Sequence, residues 1–233
     1  MSADQANIVA LIPAFNEEVA IASVIKETLA FLPVIVVDDG SADATARLAE
    51  EAGAVVLRQI PNQGKGAALR RGFSFALQKG YEAVITLDAD GQHDPQEIPT
   101  FIQAYRKTQA RLIIGARQYS QMPFPRSFSN TIGRVMLSWS LGQYVPDNQS
   151  GYRLIHRDLA EAMLTSQEQG FEFEVEMVAR CLRPGWKLDW VPIRTIYAGE
   201  KSHISPLKHI INFFRITWKV RHTTLSKPSS PRK

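Results

Sequence analysis

A single cysteine, Cys181, stands in a chain of 233 residues, and no Cys-X-X-Cys pair or zinc-type Cys/His cluster accompanies it. An internal disulfide framework, a structural zinc site and a dithiol redox centre are therefore excluded, and a reducing cytoplasm is the expected compartment. Long apolar runs are also missing. No stretch reaches the roughly 20 uninterrupted apolar residues that a spanning helix needs, so a membrane would be met only at its surface. Residues 1–7 are polar and acidic rather than basic and then apolar, which is not the pattern of a secretory signal. Charge of one sign is not in large excess either. The 27 basic and 23 acidic residues leave a net charge of +4, too mild to indicate nucleic acid as a partner, and the basic residues that do cluster lie toward the C-terminus.

What is present is enough apolar material for a full-sized core: 45% of residues are hydrophobic, and the length fits one domain with an extension. The first half alternates short β-branched runs with helical patterns. Strands are predicted over 8–12, 34–37, 55–57, 83–87 and 112–115, separated by helices over 20–31, 43–52, 65–78 and 95–107. Near-continuous apolar strands between helices predict an α/β fold, Rossmann-like, with a mostly parallel central sheet and helices on both faces. Beyond residue 117 the pattern loosens into a turn-rich stretch over 118–125, an amphipathic helix over 129–141, a helix over 171–182 and a strand over 188–196.

Open parallel sheets bind ligands beyond the carboxyl ends of their strands, and the chemistry-bearing residues fall there. Pro13-Ala14-Phe15-Asn16-Glu17 follows the first strand, Asp38-Asp39-Gly40-Ser41 the second and Asn62-Gln63-Gly64-Lys65-Gly66 the third. Asp88-Ala89-Asp90-Gly91-Gln92-His93 follows the fourth and Gly115-Ala116-Arg117 the fifth. Five polar clusters on one edge predict a ligand site. Two nucleotide-binding motifs are absent from it: Ala67-Ala68 stands where a Walker loop requires Ser or Thr, and no Gly-X-Gly-X-X-Gly follows the first strand. The ATPase reading fails and a dehydrogenase is disfavoured.

Asp88 and Asp90 repel each other when both are ionised, and a divalent cation relieves that repulsion. Their hard oxygens suit Mg2+ or Mn2+. A solvated acidic turn is the alternative for this run alone. Gly64-Lys65-Gly66 reads either as a tight turn with a surface lysine or as a helix start whose charge and N–H groups meet phosphate. Asp38 or Asp39 can accept hydrogen bonds from a base or ribose, while Ser41 or Asp43 is expected to cap the next helix. Phe15 suits stacking on a base or packing in the core. Arg117 and Arg126 bracket the irregular segment and match a second phosphate in pairs. Arg153 either joins that region or pairs with Asp147.

Residues 204–222 place Leu207, Ile210, Ile211, Phe214 and Trp218 at helical spacing, with Lys208, Arg215, Lys219 and His222 on another stripe. This predicts a basic amphipathic helix that packs either on the protein itself or in a membrane interface.

Together the five strand-end clusters and Ser150-Gly151-Tyr152-Arg153 resemble the family-2 glycosyltransferases of GT-A fold, in particular the dolichol-phosphate mannose synthase-like branch that glycosylates polyprenyl phosphates. The resemblance runs from about Ile8 to His203. It implies a catalytic domain over 1–203, while the amphipathic spacing makes 204–222 an expected interfacial helix and the polar, Pro-rich composition makes 223–233 an expected disordered tail. It also implies a nucleotide-sugar donor of GDP-mannose or UDP-glucose type, a polyprenyl phosphate acceptor, a Mg2+ or Mn2+ cofactor, and action on the cytoplasmic face of a membrane, with an integral membrane protein as a further partner. By the same resemblance Asp88, Asp90 and Gln92 hold the metal and donor diphosphate, with Ala89 between them, and Pro13, Phe15, Glu17 and Asp39 hold the nucleoside. Arg117 and Arg126, assisted by Ser129, take the acceptor phosphate. Phe15 stands where the family often has tyrosine, and Gly199-Glu200-Lys201-Ser202 departs from the family's Gly-Glu-Ser-Lys, which leaves the register of a phosphate-binding Lys201 open.

A phosphate monoester has a second pKa of about 6 and is already an oxyanion at neutral pH, so no strong base is needed. His93 is then a supporting residue. Two other readings stay open: transfer to a saccharide or small alcohol, with Glu172, Glu174 or Glu176 as base, and a non-catalytic nucleotide-sugar-binding subunit.

Overall fold

The computed structural model describes residues 7–117, 138, 145–147, 150–170 and 172–194. Strands β1 (Ile8–Ala14), β2 (Val34–Asp38), β3 (Val55–Arg58) and β4 (Ala83–Thr86) alternate with helices α1 (Ile21–Leu29), α2 (Thr45–Glu51) and α3 (Lys65–Gln78). A 3-10 turn (Pro95–Glu97) leads into α4 (Ile98–Thr108). Strands β5 (Leu112–Arg117) and β6 (Arg153–His156), helices α5 (Arg157–Met163) and α6 (Glu172–Leu182), and strand β7 (Leu188–Ile193) follow.

The seven strands form one sheet in the order β3-β2-β1-β4-β6-β5-β7. All neighbours are parallel except β6, which runs antiparallel to both β4 and β5. The central strands β1, β2 and β4 are apolar at nearly every position and are buried on both faces, while the edge strand β3 is partly exposed. In β1, Ile8, Ala10 and Ile12 meet Val24, Ile25 and Phe101 from α1 and α4, while Val9 and Leu11 meet Phe73 and Phe173 from α3 and α6. Each large aliphatic side chain so buried contributes on the order of 1.5–3 kcal/mol. The sequence before α4 fixes where that helix begins: Asp94 accepts the Gln96 N–H at 2.9 Å and Pro95 occupies the first turn, where its missing N–H is no loss.

The expected α/β fold with its mostly parallel sheet is what the chain adopts, and the five predicted strands and four predicted helices of the first half are present within a few residues. Two elements went unpredicted. The first is β6, only four residues long and opening on a charged residue, Arg153; the second is α5, which β6 leads into directly. The expected segments over 118–125 and 223–233, the helix over 204–222 and the end of the strand over 188–196 lie outside the described residues. So does the helix over 129–141 apart from Ser138, which is helical. Among the described residues no helix is long and apolar enough to cross a membrane.

Cys181 is buried on α6. Burial pushes its thiol from an ordinary value of 9.0 up to about 12. A thiol reagent at pH 8 is therefore expected to leave the folded protein unlabelled and to modify Cys181 only as denaturant unfolds it; rapid labelling of the native chain would contradict this. Because the folded pKa is raised, the thiol's contribution to stability is complete below the ordinary value and is lost as pH climbs toward 12.

Candidate active site

An open cleft of about 370 Å³ lies at the carboxyl ends of β1, β2 and β4. Pro13, Phe15 and Glu17 line it from the loop after β1, and Asp39 from just beyond β2. Lys65 enters from the start of α3, and Asp88, Ala89 and Asp90 from the run after β4. The predicted convergence of strand-end clusters is thus met by four of the five.

The loop that carries Phe15 is built by hydrogen bonds to the loop after β2. Asn16 stands in the left-handed region at φ 55; its N–H goes to Ser41 Oγ at 2.9 Å and its Oδ1 accepts the Ala42 N–H at 2.9 Å. Glu17 N–H reaches Thr45 Oγ1 at 2.7 Å. Ser41 is therefore a loop tie, not a helix cap, while Asp43 accepts the Thr45 N–H at 2.9 Å beside the start of α2. Fixed in this way, the loop leaves the Phe15 ring 47% exposed on the cleft.

The adjacent carboxylates Asp38 and Asp39 part company. Asp39 faces the cleft, but its oxygens already accept from Gln59 Nε2 at 2.5 Å, Gln63 N–H at 2.8 Å and Gly64 N–H at 2.7 Å, so it organises the loop before α3. Asp38, expected beside a nucleoside, does not line the cleft. As the last residue of β2 it is fully buried, near Ser41 N–H at 3.3 Å and Arg58 Nε at 3.7 Å.

The phosphate-cradle expectation for Gly64-Lys65-Gly66 also needs correction. Gly64 N–H is taken by Asp39, and Gly66 N–H by the Gln169 carbonyl at 2.7 Å. A Cβ on Gly66 would stand 2.6 Å from the Glu168 carbonyl, so only glycine lets α3 approach the 168–169 segment this closely. What α3 offers the cleft is the Lys65 ammonium, and it bridges two carboxylates: Asp88 Oδ1 at 2.6 Å and Glu174 Oε1 at 3.1 Å. Burial favours a neutral lysine, but the two negative charges outweigh it and hold the pKa of Lys65 above its ordinary value. Asp88 is likewise opposed by burial, yet the Lys65 ammonium holds its carboxyl well below the usual range. His93 supports the run from behind. Its Nδ1 accepts the Asp88 N–H at 3.0 Å, and burial lowers its pKa, so the ring is a neutral brace.

The donor set fits a divalent cation. Asp88 and Asp90 both reach the cleft, and Gln92 follows with its N–H bonded to Asp90 Oδ1 at 2.9 Å. Beside them Gly151 leaves room, since a Cβ there would lie 3.0 Å from both Asp88 oxygens and from Lys65 Nζ. Among the described residues no three His, Cys, Asp or Glu side chains converge on one point. Gln92 itself does not line the cleft.

Of the predicted acceptor residues, Arg117 is described and forms a fork with Asp147, Nε to Oδ2 at 2.6 Å and Nη2 to Oδ1 at 3.0 Å. Asp147 thus pairs with Arg117, and its charge also acts on the buried Arg153. Arg126, Ser129 and Lys201 lie outside the described residues. The three glutamates of α6 separate: Glu174 joins Lys65, while Glu176 bonds Ser166 Oγ at 2.6 Å and Arg180 at 2.7 Å. Reasoning from sequence had placed none of these in contact with α3.

Comparison with known proteins adds three findings. The family model described as Glycosyl transferase family 2 matches residues 9–164. An undecaprenyl-phosphate mannosyltransferase of Micrococcus luteus is 31% identical over 204 residues, covering 80% of this chain and 82% of the relative. A UDP-N-acetylglucosamine–dolichyl-phosphate N-acetylglucosaminyltransferase of Methanococcus voltae is 30% identical over 214 residues, covering 80% and 84%. In fold, the chain superposes on glucosyl-3-phosphoglycerate synthase from Mycobacterium tuberculosis, solved with Mn2+, UDP and phosphoglyceric acid. The TM-score is 0.71 at 21% identity, over 96% of this chain and 80% of that one.

Proposed function

The chain belongs to glycosyl transferase family 2, and on that premise we propose that it moves a sugar from a nucleotide-sugar donor to a polyprenyl phosphate at a membrane surface. The observation that carries this reading is a juxtaposition: one cleft holds an exposed aromatic ring, Phe15, and a pair of carboxylates, Asp88 and Asp90. A base can stack on the ring. Asp88 and Asp90, with Gln92 beside them, would hold a divalent ion, which when bound supplies positive charge to a leaving diphosphate. The Mn2+ and UDP in the structural neighbour and the acceptors in the relatives' names support the same assignment.

Lys65 contributes a second positive charge to the cleft wall. The acceptor needs no base from the protein, since its phosphate, with a second pKa of about 6, is already an oxyanion at neutral pH. This agrees with Glu174, a candidate base on α6, being occupied by an ion pair with Lys65. Arg117 and Arg126, assisted by Ser129, are assigned to the acceptor phosphate, and attack on the face away from the diphosphate inverts the anomeric carbon.

The test is an acceptor comparison with GDP-mannose, UDP-glucose and UDP-N-acetylglucosamine as donors. Manganese-dependent transfer to a short polyprenyl phosphate is expected, with no transfer to soluble sugars. Preference for a soluble sugar would replace the acceptor assignment. Residues 204–222 are proposed as the interfacial element, each Lys or Arg adding on the order of 1 kcal/mol near an anionic leaflet. Removing residues 204–233 is accordingly expected to weaken sedimentation with anionic liposomes while leaving nucleotide binding intact; unchanged sedimentation would refute that role.

A further inference from the structure

Lys65 sits between two carboxylates that come from different parts of the chain. Asp88 belongs to the run assigned to the cation; Glu174 belongs to α6 and has no part in that assignment. The Lys65–Asp88 contact is the shorter, 2.6 Å against 3.1 Å. The Glu174 side chain is only 7% exposed, and its Oε1, although close enough to pair with the ammonium, lacks an aligned hydrogen bond. A buried carboxylate oxygen left short of a donor is costly, and the nearest group able to satisfy it is the same ammonium. Glu174 does not depend on Lys65 for its place. Its carbonyl accepts Arg153 Nη1 at 2.7 Å, and the segment before α6 is tied to α3 through Gly66 N–H and through Arg70, which donates to the Glu168 carbonyl at 2.6 Å.

A cation arriving at Asp88 competes with Lys65 for the same oxygens. We propose that Glu174 is the alternate anion for Lys65: as a divalent cation takes Asp88, the ammonium shifts its ion pair to Glu174 and remains in the cleft wall. The exchange conserves charge. The lysine moves between partners already within 3.1 Å, the Glu174 oxygen gains its missing donor, and Asp88 is released without an ammonium being expelled into the incoming ion. Without the Glu174 charge, Lys65 would have no second carboxylate in reach among the described residues and would hold Asp88 against the metal. Glu174 is thus a positioning residue acting through Lys65, and this inference rests on the metal assignment made above.

The test is a double-mutant cycle read as Mn2+ affinity, by the electron paramagnetic resonance of free Mn2+, with nucleotide absent. Glu174→Gln keeps the size of the side chain and removes its charge. It is expected to weaken Mn2+ binding about tenfold in the parent, within the range of coupling between contacting residues, and by less than about twofold when Lys65→Met is also present. Equal weakening in both backgrounds would assign Glu174 a general field effect and overturn the exchange, as would parent-like affinity in Glu174→Gln. Should Glu174→Gln not fold, Glu174→Asp, which withdraws the carboxylate by one methylene, is read on the same scale. No Mn2+ binding by the parent itself would overturn the metal assignment together with this inference, whereas the other two outcomes leave that assignment standing.

Discussion

Asp90→Ala is expected to lower transfer to polyprenyl phosphate by about 100-fold or more, the loss seen when a principal electrostatic stabiliser of a leaving group is removed. Asp90 lines the cleft one residue beyond Ala89 and is the second carboxylate of the pair assigned to the cation. The expected signature is a fall in kcat with a weakened Mn2+ dependence, while the thermal midpoint stays near that of the parent. A variant that turns over normally, or a parent indifferent to chelator, would remove the metal from the mechanism. The same assay separates chemistry from folding because Asp90 is only partly buried and sits in a loop braced from behind by His93.

Arg153→Met should have the largest effect on stability. Arg153 opens β6 at 1% exposure in the middle of the sheet. Nε donates to the Ser150 carbonyl at 2.8 Å and Nη1 to the Glu174 carbonyl at 2.7 Å. Burial pulls its pKa down, against the attraction of Glu174, Asp147 and Asp88. Methionine can fill much of the space but supplies neither the donors nor the charge, which leaves buried carbonyls unpaired and three carboxylates less well balanced. A loss of about 3–5 kcal/mol is expected, as for breaking a buried ionic network from one side. At about 2–4 °C per kcal/mol for a chain of this size, the thermal midpoint falls by on the order of 10 °C. A shift within about 2 °C of the parent, on that same scale, would show that the network adds no stability.

The parts of the fold legible in the sequence are those where one physical signal acts alone. Apolar β-branched runs bounded by helical periodicity locate β1 to β5, and the rule that polar clusters gather at the carboxyl edge brings Phe15, Asp39, Lys65, Asp88 and Asp90 to one cleft. Where two signals compete, the reading fails. Arg153 reads as polar, so a four-residue buried strand is taken for more of the preceding loop. Asp38 and Asp39 look equivalent as letters, yet the strand's alternation sends one into the interior and the other to the cleft. Glu172, Glu174 and Glu176 form one acidic pattern along α6, and only the packing of α6 near the start of α3 selects Glu174. The loop N–H groups around Gly64 look available in one dimension because the acceptors that use them, Asp39 and the Gln169 carbonyl, lie 25 and about 100 residues away.

The reversed direction of β6 bears on how this scaffold can diversify. Ile114 pairs with Arg153, and Gly115 N–H bonds the Tyr152 carbonyl at 2.9 Å, so the chain leaves and re-enters the sheet at neighbouring points on one rim. The two ends of whatever chain joins β5 to β6 are thus held together by the sheet itself, so the register of both strands is set by their own pairing and not by the length of the connection.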